Sequence, residues 1–163
     1  MSIRKTRPQA PLNLRAFLVV ASVNFGVQYL TFRYLRIFGI APDLTLLFVL
    51  FLSLSSSGII SLMSALALGL YQDILFHSTI GGHSIVYLLI AYLASRFLAE
   101  KMEFNIAAVL LYSVYFSLFF SIVYQTICAP AWGLTLIWKP ITFSAYNGLW
   151  SLPAFYLYQR ELL

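Results

Sequence analysis

Few side chains in this 163-residue chain could do chemistry. Asp73 and His77 stand four residues apart, the spacing at which a carboxylate and an imidazole meet on one helix face. His83 follows them, beyond a Gly81-Gly82 pair. Such a trio could hold a metal ion or pass a proton. The chain has no His-Glu-x-x-His zinc helix, no Gly-x-Ser-x-Gly nucleophile elbow and no glycine loop for phosphate. Its one cysteine, Cys128, excludes an intrachain disulfide and a cysteine-based metal cluster. Two histidines flanking a turn are expected to be solvated surface groups. We therefore assign no catalytic residue, cofactor or metal ligand from the sequence.

Asp73 points instead to assembly. A carboxylate in an apolar run costs about 2.5–3.5 kcal/mol at mid-membrane on insertion scales, and is tolerated where it faces a bundle or a partner. Counting back from it in fours gives Gly69, Ala65, Ser61 and Ser57. Small residues at that spacing let a second helix approach closely. The expectation is a seam for helix packing or partner binding, with Gly81 in the turn that follows. Asn147 and Gly148, ahead of Pro153, form a second polar patch. It reads either as a kinked helix whose amide bonds a neighbour or as part of a partner groove beside the seam.

Two further features belong to positioning. Pro42 suits the first position of a helix, where its missing N–H would be unpaired anyway. Asp43 beside it can cap the free amides and meet the positive end of the helix dipole. Asn24 and Gln28 lie four apart, on a face that should turn inward for interhelical hydrogen bonds worth about 0.6–2 kcal/mol each.

The elements carrying these residues follow from composition. The chain is 61% hydrophobic and only 9% charged, against roughly 25% charged for a soluble domain. It reads as an all-α integral membrane protein with about six transmembrane helices, each span needing about 20 residues. Residues 44–76 are apolar almost throughout. As one helix they would extend about 50 Å, beyond a hydrocarbon core of about 30 Å. The serine-rich stretch 53–58 is where they must break. The expected spans are 14–32, 42–54, 58–76, 82–97, 105–127 and 140–158, the second of them short. Residues 16–158 then form a single polytopic domain between cytoplasmic segments 1–15 and 159–163. The basic N-terminus reads as a retained cytoplasmic start, since no small-residue cleavage site follows its first apolar run.

Basic residues set the orientation. Arg4, Lys5, Arg7, Arg15, Arg96, Lys101 and Arg160 fall on one side of six spans, with Arg33, Arg36 and Lys139 on the other. The positive-inside rule puts the first set, and both termini, in the cytoplasm. Scattered at span ends, the cations form no stripe for nucleic acid. A lipid bilayer is the expected surrounding.

Several of these residues together resemble the MreD family, the small rod shape-determining membrane proteins of bacteria. They are Pro42-Asp43 opening a short span, Gly69-Leu70-Tyr71-Gln72-Asp73 ending the next, and Ser78-Thr79-Ile80-Gly81 in the turn beyond. The late Asn147-Gly148 pair and the length agree as well. The chain departs at Ala41, where the family often has arginine, and at His77, where it often has glycine. The resemblance implies a fold similar to the substrate-binding subunit of energy-coupling factor transporters. It also implies a non-enzymatic scaffold in the inner membrane. Its expected partners are single-span MreC and, with it, the elongation complex of MreB, RodA and a penicillin-binding transpeptidase. The alternative is a small-solute-binding membrane subunit of a vitamin-type transporter.

Overall fold

The computed structural model describes residues 14–36, 39–76, 80–97, 106–127 and 135–162. They form six helices: α1 (Leu14–Tyr34), α2 (Leu44–Ser55), α3 (Gly58–Leu75), α4 (Gly82–Phe97), α5 (Ile106–Ile127) and α6 (Thr135–Leu162). No strand occurs among the described residues. His77, Cys128 and the charged stretch around Lys101 lie outside them.

The fold is built around α2. Its 12 residues extend only about 18 Å, and every residue from Leu44 to Leu54 is buried. A helix that is apolar all round belongs in an interior, and α2 packs against all five other helices. Phe48 meets Phe17 of α1 and Tyr158 of α6, while Phe51 meets Phe155 edge to face. The short second span expected from the sequence is thus a central post, not an outer wall.

The serine-rich break is where the sequence puts it. Ser56 and Ser57 separate α2 from α3, and the Ser57 hydroxyl accepts from the Ile60 amide at 3.5 Å. The two helices run antiparallel. Ser61 donates to Ser53 at 2.8 Å near the turn, and Thr45 donates to Gln72 at 3.3 Å at the far end.

The last helix differs from expectation. It starts at Thr135, ahead of Pro140, and carries both Pro140 and Pro153 inside it. A proline removes one backbone bond to the carbonyl four residues back, and here it interrupts the ladder without ending the helix. Pro42 differs too. Asp43 is the N-cap of α2, so Pro42 precedes the cap and does not open the helix.

Close approach of α3 to α4 depends on one glycine. A Cβ placed on Gly69 would lie 2.4 Å from the Ser84 Cα and 2.6 Å from its amide nitrogen. Backbone cannot yield as a side chain can. On Gly148 of α6 the same atom would meet the Val114 Cγ2 of α5 at 2.7 Å, a side-chain contact where that of Gly69 is with backbone.

Gly69→Ala should therefore force α3 and α4 apart and cost about 1–3 kcal/mol, the range for overpacking. Gly26→Ala, with nothing within 4 Å of the new methyl, should be neutral or stabilising by up to about 1 kcal/mol. Thermal unfolding of the two variants in detergent measures the difference. Equal melting temperatures would remove the close-approach argument.

Candidate functional site

A helix leaves its first amides without intrahelical partners. For α2 those amides lie inside the protein, where an unmade bond costs about 1–3 kcal/mol. Side chains from the other helices supply the acceptors. The Asp43 amide donates to Asn147 Oδ1 of α6 at 2.7 Å. The Leu44 amide donates to Gln28 Oε1 of α1, also at 2.7 Å. The Leu46 amide donates to Asp43 Oδ1 at 2.9 Å, the N-cap bond itself.

Each acceptor is held in turn. Gln28 Nε2 donates to the Pro42 carbonyl at 3.1 Å, so one amide group clamps both sides of the Pro42-Asp43 step. Asn147 Nδ2 donates to Ser117 Oγ of α5 at 2.9 Å. Tyr87 of α4 donates to the second Asp43 oxygen at 2.6 Å. Tyr158 of α6 donates to Asn24 Oδ1 of α1 and approaches the Leu44 carbonyl at 3.4 Å. With Thr45 bonded to Gln72, α1, α3, α4 and α6 each contribute a polar side chain to the first turn of α2, and α5 supports it indirectly through Ser117 on Asn147. Asp43 accepts at both oxygens, from the Leu46 amide and from the Tyr87 hydroxyl.

Asp73 performs a second capping task, for a helix other than its own. From the last turn of α3 it accepts from the amides of Gly81 at 2.8 Å and His83 at 3.1 Å, at the start of α4. The His83 ring nitrogen Nδ1 sits 2.7 Å from the same carboxylate. Gly81 has φ +90°, a backbone state that L side chains seldom adopt, and this turn aims its amide at Asp73.

His83 is thus not the solvated group expected from the sequence. Only 13% of its side chain is exposed, and its ring packs among Tyr87, Phe120 and Tyr124. It reaches Asp73 because the α3–α4 turn folds back, a pairing across ten residues that helical spacing does not reveal.

The stripe Ser61, Ala65 and Gly69 is buried against the chain's own helices. Ser61 faces α2 through Ser53, and Gly69 faces α4 through Ser84. Ser57, at the start of the stripe, is half-buried and caps α3. Asp43 and Asn147 meet directly, although 104 positions separate them. Asn24 and Gln28 turn inward as their spacing requires. Tyr87, Tyr158, Gln72 and Ser117 were not legible. An aromatic or serine in an apolar helix carries no local mark of the bond it will make. Among the described residues no three His, Cys, Asp or Glu side chains gather at a site for a metal ion.

Replacing Asn147 by Leu should destabilise the chain by about 1–3 kcal/mol, because it strands the buried Asp43 amide and the Ser117 hydroxyl. Gln28→Leu should cost a similar amount by freeing the Leu44 amide and the Pro42 carbonyl. The two changes act on the same short segment, so their effects should fall short of additive. Unfolding of both single variants and the double variant measures this. Full additivity would mean that the hub is two separate contacts.

The site is therefore an arrangement that holds helices at fixed positions, with its polar groups committed to one another. Comparison with curated proteins and with solved structures gives no match. Residues 12–159 match the family model described as rod shape-determining protein MreD. That match spans nearly the whole chain and includes every residue of the hub, so the chain belongs to the MreD family and has a role in rod shape determination.

Proposed function

We propose that the chain is a non-enzymatic, multi-pass scaffold of the rod shape complex in the bacterial inner membrane. In this reading it docks a single-span partner of the MreC type and so links wall synthesis to the cytoskeleton. The carrying observation is how the buried polar groups are used. Asp43, Gln28, Asn147, Gln72 and Tyr87 are all engaged in fixing α2, and such a site favours holding over turnover.

Membrane insertion is supported by the outer surface. Val19, Ile59, Met63, Ile74, Leu111 and Leu149 are each more than half exposed, and water-soluble monomers rarely present such broad apolar faces. Helix α3 and residues 107–127 of α5 are individually long and apolar enough to cross a bilayer. The short α2 would reach the midplane only because its neighbours enclose it, as irregular backbone at membrane depth requires.

The partner helix would meet an outer face. The Ser61, Ala65 and Gly69 stripe is already occupied by α2 and α4. The opposite side of α3 presents Ile59, Met63, Leu66, Leu70 and Ile74 to the exterior. The second reading, a solute-binding subunit of a vitamin-type transporter, gains no support from the comparisons.

Photo-crosslinking in cells tests this reading. A crosslinker at Met63 or Leu70 should capture the single-span partner, and one at Ala65 should not. Capture from Ala65 alone would mean that α4 leaves the stripe and that docking happens there. Gly69→Leu should lower the amount of folded protein in the membrane before it changes partner recovery per folded molecule.

A further inference from the structure

Five helices surround α2, in the order α1, α6, α5, α4, α3. Neighbours in that order approach backbone to backbone at every junction but the one that would close the ring. Between α3 and α1 no Cα atoms come within 8 Å of each other. Aromatic side chains bridge that gap. Phe25 meets Tyr71 with ring centres 3.9 Å apart, and Phe32 meets Phe76 at 4.3 Å. Tyr71 and Phe32 are 40% and 37% exposed, so the gap presents aromatic rings to the exterior.

The gap borders a cavity of about 360 Å³ beside the start of α2, within the range of small-ligand pockets. Phe32 and Phe76 belong to its wall, and buried Asp43 to its inner end. The Asp43 carboxylate is already committed, since the Leu46 amide and the Tyr87 hydroxyl take its two oxygens. Asp73 is held by the amides of Gly81 and His83 and by the His83 ring. The cations nearby have no such commitment. Lys139 is exposed and lines the cavity, and exposed Arg36 lies with its guanidinium 3.6 Å from the centre of the Phe32 ring. Neither has a carboxylate within 4 Å among the described residues.

These features constrain an occupant. A phosphate suits the rim, where Lys139 and Arg36 can donate to its oxygens. A positive group beside it would be repelled by the two cations, and a second negative group further in would meet Asp43. The part that enters the cavity is therefore polar and neutral. An apolar chain attached to it finds the ring-lined gap on the bilayer side.

We propose that the cavity and the gap together bind an anionic phospholipid whose head is neutral beyond its phosphate. The phosphate sits at the rim with Lys139 and Arg36, the hydroxyls of the head enter the cavity, and an acyl chain lies along the rings between α1 and α3. The assignment rests on membrane insertion but not on which protein partner is docked.

The test uses the full chain, purified in detergent, stripped of lipid and studied by native mass spectrometry. Phosphatidylglycerol should be retained about tenfold better than phosphatidylethanolamine, whose ammonium would face the two cations. Lys139→Gln and Arg36→Gln should each reduce phosphatidylglycerol retention about tenfold and, being exposed, melt like the parent. Phosphatidylglycerol with a photoreactive diazirine in mid-chain should label residues 25–32 and 71–76 in preference to the outer faces of α4 and α5. Equal retention of the two lipids would overturn the proposal. So would unchanged retention in both variants, or labelling spread evenly over the outer helices. Glycerophosphoglycerol, the same head without chains, binding as tightly as the lipid would make the ligand a soluble phosphodiester and overturn the lipid assignment. Carbonate washing of membranes separates the two levels. A chain released by carbonate fails the membrane reading, whereas an inserted chain without head-group preference fails this inference alone.

Discussion

A helix that begins inside a protein must find acceptors for amides that water would otherwise satisfy. That constraint organises this molecule. The first turn of α2 is remote from solvent, and each group that satisfies it comes from a different part of the chain. Gln28, Gln72, Tyr87, Asn147 and Tyr158 sit on four helices and converge on residues 42–46, while Ser117 of α5 holds Asn147 in place. The apolar packing around Phe48 and Phe51 supplies cohesion. Hydrophobic contact has no direction, so the polar cluster sets the register that packing alone would leave loose.

The second capping arrangement follows the same logic with less reach. Asp73 sits on α3 but serves the start of α4, so the α3–α4 turn is closed by a carboxylate from the preceding helix. Together with the Gly69–Ser84 contact this fixes both the rotation and the separation of the pair. Two carboxylates thus have structural work at two helix starts, and the chain has few others. Both carboxylates are thereby spent on placing helices relative to one another.

Much of this was legible in the sequence. The apolar run that exceeds a bilayer's thickness required the break at Ser56-Ser57, and the Pro42-Asp43 pair marked the start of α2 to within a residue. Asn24 and Gln28 announced an inward face by their spacing. Other features were hidden for a physical reason. The Ser57–Asp73 stripe identifies a surface that wants a close neighbour but not whose helix supplies it. The partners of Ser61 and Gly69 turn out to be α2 and α4 of the same chain. His83 looked solvated because its burial depends on aromatic rings from α5, which no local pattern connects to it. The start of α6 was misplaced because proline was read as a boundary, whereas a long helix can carry it internally.

The enclosure of α2 also has a temporal side. Ribosomes deliver α2 before α3 to α6 exist, yet the Asp43 amide takes its acceptor from Asn147 of α6, the last of the six described helices. Until that helix arrives, this one amide lacks its native acceptor, although Gln28 and Asp43 are already present to meet the amides of Leu44 and Leu46. Closure of the bundle then waits for α6, and a chain truncated before Asn147 would lack the acceptor that holds the start of α2.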